Sequence, residues 1–296
     1  MNLHHLYRKV FLAGSTAACV LWLGTSCGST ASDSEATPDT DNAQPAPQVV
    51  EAQSRKVGEL FEQAPTPVEM SQWIKRAGIP FNQALLHRPE AARDYLTYSE
   101  RAVSLGAYGA DLVYLSLYQQ TQQAVDHFSA VNELTSKLSL QEVFDEETMD
   151  RWEVQWSEPD SMQQLISEKY RLVYEELEAN ESPETSILVL FGGWLQSTYI
   201  SIHSVDELAL MNDYGEAMEK QLRTADKLLE LCTLFPENPQ VVQVENYLQE
   251  LRPQWKKLES AIEQTHEETT PEHIEEMSRL AEEVAKTTYR IRSEYL

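Results

Sequence analysis

Ile187-Leu188-Val189-Leu190-Phe191-Gly192-Gly193-Trp194-Leu195 is the core of a helix-length segment running from Thr185 to about Ser204. Its apolar residues fall on every side of a helix rather than on one stripe, and such a helix belongs in a protein core or a membrane. Gln196, Ser197, Thr198, Ser201 and His203 follow the apolar run and make the segment too polar to span a bilayer. It therefore reads as a central core helix. A second segment of this kind runs from Tyr108 to about Leu138, with Leu112, Val113, Tyr114, Leu115 and Leu117 in its first half. Gly106 and Gly109 mark that helix, and Gly192 and Gly193 mark the other. Glycine costs about 1 kcal/mol inside a helix. Close approach of the two helices, or a local kink, is expected to offset that loss.

Outward from these two helices, residues 54–296 read as further helices separated by Pro, Gly and Asn signals. No period-two strand pattern exceeds a few residues. Thr66-Pro67-Val68-Glu69 combines an N-cap, a proline at the first helical position and a Glu at the third. Ser182-Pro183-Glu184 and Thr270-Pro271-Glu272 are similar openings. Toward the C-terminus, Val241, Val244, Leu248, Leu251, Trp255, Leu258 and Ile262 alternate in steps of three and four, as do Ile274, Met277, Ala281, Val284, Thr288 and Ile291. Two such seams, separated by Glu263 to Thr270, predict an antiparallel hairpin over residues 237–296, its first arm bent at Pro253. Met211, Tyr214, Met218, Leu222, Ala225, Leu229 and Cys232 form a seam that would pack on it. The expected fold is all-α: a multi-helix bundle, or a helical-repeat-like array, with a C-terminal antiparallel helical hairpin.

The N-terminus reads differently. Arg8 and Lys9 precede an apolar run from Val10 to Leu23, and then Leu23-Gly24-Thr25-Ser26-Cys27. The run is about 14 residues, within the signal-peptide range and short of the roughly 20 that a membrane span requires. The small residues before Cys27 resemble a bacterial lipoprotein box, although Leu23 stands four places before the cysteine rather than three. Residues 1–26 are then a signal peptide, and Cys27 becomes the acylated N-terminus. Residues 27–53, rich in Ser, Thr, Ala, Pro and acids, are an acidic disordered tether. Such a chain reaches roughly 25 Å from the membrane. Gly28 after the cysteine, by resemblance to enterobacterial sorting, favours the outer membrane, facing the periplasm or the cell surface.

The chain has 23 Lys+Arg against 48 Asp+Glu. Its first 27 residues hold two of the bases and none of the acids, which leaves 21 against 48, or −27, in the remainder. A chain this acidic repels nucleic acid and anionic headgroups. With Cys27 acylated, Cys232 stands alone among leucines, so no intrachain disulfide is available and a small buried hydrophobe is expected there.

The motifs for chemistry are sparse. Glu263-Gln264-Thr265-His266 matches Glu-x-x-His, but a di-iron bundle needs two such pairs. His87, His127, His203 and His273 each lack an acid three places earlier. His273-Ile274-Glu275-Glu276 resembles the His-x-x-Glu of imelysin-type envelope lipoproteins, with Pro271 where they carry glycine. It reads as a solvated helix start. Asp111 lies between Ala110 and Leu112 in an apolar helix. If it caps a first turn after Gly106 or faces solvent, Asp111→Leu leaves stability unchanged. If instead it forms a polar binding site with Tyr108, Tyr114 or His203, the same change costs several kcal/mol. Trp152, Trp156 and Trp194 read as core, with a ligand cleft as the alternative. No phosphate loop, Gly-x-Ser-x-Gly elbow, His-Glu-x-x-His or Cys-x-x-Cys is present. Neither metal nor cofactor is expected.

Leu105-Gly106-Ala107-Tyr108-Gly109-Ala110-Asp111-Leu112, with Gly192-Gly193-Trp194, resembles uncharacterised all-helical lipoproteins of the Bacteroidota. The resemblance covers most of residues 55–296 and implies location and fold but no activity. Leu231-Cys232-Thr233-Leu234-Phe235-Pro236-Glu237-Asn238-Pro239 resembles a tetratricopeptide repeat junction, and Gln122 to Phe128 resembles a second-helix start. No 34-residue period joins them. The expected role is therefore that of a non-enzymatic envelope lipoprotein, held by acyl chains, that binds an envelope protein partner or serves as a structural component. The alternative is a small-molecule or metal-ion binder with a pocket between the two central helices. An enclosed cavity of about 300 Å³ or more favours the second, and an exposed apolar patch the first.

Overall fold

Thr97 and Glu100 open the first long helix: the Thr97 hydroxyl accepts from Glu100 N at 3.1 Å, and the Glu100 carboxylate accepts from Thr97 N at 2.8 Å. This capping box starts α1, Tyr98–Leu117, ten residues earlier than the apolar run alone indicates. The computed structural model describes residues 55–59, 73–144, 146–155, 158–204 and 214–295. These lie in one folded unit, Pro45–Leu296. The signal peptide, Cys27, the tether, the Thr66-Pro67 opening and Trp156 lie outside the described residues. Among the described residues no strand occurs, and the fold is an all-α multi-helix bundle.

The single helix expected over Tyr108–Leu138 is in fact two, α1 and α2 (Thr121–Lys137). Gln119 takes φ +54° between them, Gln120 N donates to Leu115 O at 3.0 Å, and Gln119 N donates to Ser116 O at 3.1 Å. That is a left-handed helix stop of the kind glycine favours, here built on glutamine. The same device, with Ser139 and Glu181 at positive φ, ends α2 and α4. No glycine announces these breaks, which is why the pattern of apolar residues reads across the first of them.

After α2, a 3-10 turn at Gln141–Phe144 leads into α3 (Glu146–Gln155) and α4 (Pro159–Ala179). Helix α5 (Pro183–Ser204) then begins at the Ser182-Pro183 signal. It packs against α1, α4, α6 (Tyr214–Cys232), α7 (Pro239–Glu267) and α8 (Pro271–Tyr295), and so its apolar residues face protein all round. Among the described residues it is the one helix long and apolar enough to cross a membrane, yet 94% of its most apolar window is buried in the fold. Most of its polar residues are satisfied internally. Trp194 Nε1 donates to Gln221 O at 3.1 Å, Thr198 donates to Gln221 Oε1 at 2.9 Å, and Ser201 pairs with the Tyr214 hydroxyl at 2.9 Å.

The two central helices cross backbone to backbone. A Cβ on Gly106 would sit 1.8 Å from Val189 O, and one on Gly192 would sit 1.9 Å from Val103 O. The glycines are therefore explained by close approach. The C-terminal hairpin is α7 and α8, joined by residues 268–270. Gln254 with Thr287, Glu250 with Arg290, and Tyr247 with Glu294 pair in opposite chain directions, which fixes the arms as antiparallel. Helix α7 runs unbroken through Pro253. Cys232 is buried at the end of α6, where desolvation pushes its thiol up to about 12, as suits an inert core residue.

Candidate functional site

Asp111 neither caps α1 nor faces solvent: it lies mid-helix and is fully buried. One carboxylate oxygen accepts from His87 N at 3.0 Å and faces His87 Nδ1 at 2.7 Å. The other accepts from Gln196 Nε2 on α5 at 2.6 Å. Gln196 Nε2 also donates to Leu85 O at 2.9 Å, and its Oε1 accepts from Arg292 Nε on α8 at 2.7 Å. Arg292 in turn lies over the Tyr199 ring, 4.3 Å from its centre. One buried carboxylate thus ties together the 82–88 segment, α1, α5 and α8. His127 on α2 completes the surroundings: its Nδ1 bonds Gln123 O at 2.8 Å, and its Nε2 stands 3.8 Å from the carboxylate, beyond hydrogen-bond reach.

Burial alone would push the Asp111 carboxyl up, but the His87 and His127 imidazoles and the His87 N–H groups hold it below its ordinary value. Burial lowers His87, against the opposing pull of Asp111. Burial likewise lowers His203, opposed by its bond to Tyr199 O. A histidine lowered on folding contributes stability that is complete above 6.5 and is lost as pH falls, because the unfolded chain then binds more protons. Thermal melts at pH 7.5, 6.5 and 5.5 should therefore show falling stability. The slope from His87 has a ceiling of about 1.4 kcal/mol per pH unit. His87→Gln should flatten the profile over that interval, and an unchanged slope would remove His87 from this role.

Of the sequence-derived site residues, Asp111 and Tyr108 are brought together and the others are not. The Tyr108 ring lies between those of His87 and His127, at 5.3 and 5.8 Å, while its hydroxyl donates to Arg88 O at 2.6 Å. The Tyr114 hydroxyl accepts from Asn82 N at 3.0 Å. His203 Nδ1 bonds Tyr199 O at 2.9 Å near the end of α5. The partners that sequence reasoning missed are His87, Gln196 and Arg292. A signal for one of them existed: Asp111 and Gln196 are polar residues on two helices each apolar all round, and buried polar groups must pair. His273 holds the start of α8, its N–H donating to the Thr270 hydroxyl at 3.2 Å. The His266 side chain lies outside the described residues. Among the described residues, no group of three His, Cys, Asp or Glu is placed to hold a metal ion. The Asp111 cluster is closed to solvent, and its geometry is that of a structural tie.

The accessible site is elsewhere on α1. Leu105, Gly109 and Leu112 face a cavity closed by Val131 of α2, Phe144, Thr148 and Trp152 of α3, five residues of α4 from Leu165 to Val173, and Val189 of α5. Its free room is about 30 Å³, enough for a water molecule or two. Gly109 opens it, since a Cβ there would come 2.5 Å from the Tyr170 hydroxyl. That hydroxyl is engaged by Gly106 O at 2.7 Å. Trp152 is a core residue packed on Phe128 that also borders this cavity, and Trp194 is held in the core by Gln221. Among the described residues the lining is mostly apolar, and Lys169 is its one charged member. No protein-family model matches this chain, and comparison with curated proteins and with solved structures gives no match.

Proposed function

We propose that this chain is a lipid-anchored envelope lipoprotein whose helical domain binds an envelope protein partner or serves as a structural component. The single observation favouring this over a ligand binder is the cavity between α1 and α3–α4: its free room of about 30 Å³ holds a water or two and lies well below that of small-molecule sites. The anchor rests on Arg8, Lys9, the Val10–Leu23 run and Cys27. Two or three acyl chains at that cysteine would hold the domain to a bilayer. The large exposed apolar side chains, Leu96, Tyr98, Val154 and Tyr289, are spread over the approach to α1, α3 and α8.

The test uses the full-length Cys27→Ala chain, which carries no acyl group, titrated with an environment-sensitive naphthylamine dye. No saturable binding is expected, and Val131→Trp, whose larger ring fills the cavity, should respond as wild type does. Saturable binding at one site, lost in Val131→Trp, would overturn this reading in favour of a ligand binder. Separately, the wild-type chain should fractionate with membranes and the Cys27→Ala chain should lose acylation; wild type free of acyl groups would reject the anchor.

A further inference from the structure

Residues 79–95 cross α1 as a strap with no α-helix of their own, only 3-10 turns at Gln83–Leu85 and Pro89–Arg93. Their backbone–backbone bonds are local, and none reaches α1, α2, α5 or α8. Side chains hold the strap instead, by its backbone. Tyr118 donates to Ile79 O, Tyr114 accepts from Asn82 N at 3.0 Å, and Asp111 accepts from His87 N at 3.0 Å. Tyr108 then donates to Arg88 O at 2.6 Å, and Arg101 to Tyr95 O at 3.1 Å. As the strap's numbers rise, those of its partners fall, so it runs antiparallel to α1. The partners are spaced by three, four or seven residues and share one face of that helix. Gln196 of α5 reaches Leu85 O at 2.9 Å, and Lys137 of α2 reaches Ala92 O at 3.2 Å.

The middle pin is the one built on a group that changes charge near neutral pH. His87 Nδ1 lies 2.7 Å from the oxygen that also takes His87 N, and it must donate, because a carboxylate only accepts. The next proton would go to Nε2, which is buried and has no hydrogen-bond partner among the described residues. The titratable and charged groups around the ring are Asp111 and Tyr108 on α1, His127 on α2 and Arg292 on α8, and α5 contributes the neutral Gln196. Burial disfavours the second proton more than Asp111 favours it, and Arg292 and His127 add repulsion. With the strap lifted, water hydrates the imidazolium and satisfies both its N–H groups. We infer that residues 79–95 are a pH-sensitive strap: protonation of His87 releases them from α1 as a unit, with the helices still folded, and bares the polar face that they cover. Release can stay local because the strap buries little of the core, chiefly Leu85, Ala92 and Tyr95, and shares no backbone ladder with the helices.

Hydrogen exchange read by mass spectrometry on the full-length Cys27→Ala chain tests this at pH 7.5, 6.5 and 5.5, with labelling times scaled to the intrinsic rate at each pH. Protection of the strap amides, Asn82 and His87 among them, should fall by up to about tenfold per pH unit, the limit for one proton, while α5, α7 and α8 keep theirs. In His87→Gln, which cannot titrate there, the strap should hold constant protection over the same interval. Tyr114→Phe removes one pin and leaves the latch, so strap protection should drop about fivefold at every pH, the scale of one hydrogen bond, with the slope unchanged. Helices that lose protection in step with the strap would overturn release as a unit, since that is global unfolding. Strap protection that is independent of pH in the parent chain, or that falls equally in His87→Gln, would overturn the latch. The parent chain and Tyr114→Phe decide the first two outcomes whether or not His87→Gln folds.

Discussion

Gly192→Ala is expected to destabilise the domain by about 3 kcal/mol or more, the upper part of the range for overpacking a close contact. The added methyl would lie 1.9 Å from Val103 O and 3.0 Å from Val103 Cα, and both atoms are backbone. No rotamer change relieves such a contact. The helices must separate along their whole crossing, and α5 cannot retreat because α6, α7 and α8 pack behind it. Alanine's better helix propensity offsets only about 1 kcal/mol. Gly106→Ala meets Val189 O at 1.8 Å and Gly193 N at 2.7 Å from the opposite side of the same contact. Once one substitution has parted the helices, the other should add little, so the double variant should lose less than the sum. Gly215→Ala is the control: its nearest neighbour would be Ile262 Cγ2 at 3.8 Å, an ordinary contact, and a gain of about 0.5–1 kcal/mol is expected. Urea unfolding followed by circular dichroism measures all four. A Gly192→Ala variant within about 0.5 kcal/mol of wild type would show that the backbone contact is not what the glycines serve.

The elements that were legible in the sequence are those whose signal is local. Proline and N-cap pairs place the starts of α5 and α8 at Pro183 and Pro271, and heptad seams place α7 and α8. The apolar wrap of Ile187–Ile202 identifies the helix that every neighbour packs on. What the sequence hides is carried by residues doing something atypical for their kind. Gln119, Ser139 and Glu181 stop helices in a conformation usually left to glycine. His87 sits in an irregular segment where no periodicity could bring it to Asp111, 24 positions on. Arg292, near the end of the last helix, reads as one of its surface cations until its bond to Gln196, 96 positions earlier, is seen. The cavity likewise arises from five helices and the Gln141–Phe144 turn jointly failing to fill a space, and no stretch of sequence encodes that by itself.

Asp111→Leu should lose about 3–5 kcal/mol, the cost of removing one member of a buried charged network. The Asn substitution is the more informative one, because the network has a direction. Arg292 can only donate, so Gln196 must turn its Oε1 toward Arg292 and its Nε2 toward residue 111. His87 N can also only donate, so residue 111 meets a donor on each side. A carboxylate accepts on both sides, whereas an amide accepts on one and donates on the other. Asp111→Asn therefore leaves two donors facing each other in either orientation, for a loss of about 1–3 kcal/mol despite its matching shape. Arg292→Met removes one of the two bonds that set the direction of Gln196 and leaves the other, from its Nε2 to Leu85 O, so Gln196 turns its oxygen to the new amide at the cost of that second bond. Part of the loss caused by Asp111→Asn should then disappear in the double variant, a coupling between residues 111 and 292 that have no direct contact. Thermal and urea unfolding of the two single variants and the double variant measure that coupling. Strict additivity would mean that the bond to Leu85 O alone fixes the direction of Gln196, and that Arg292 does not set it.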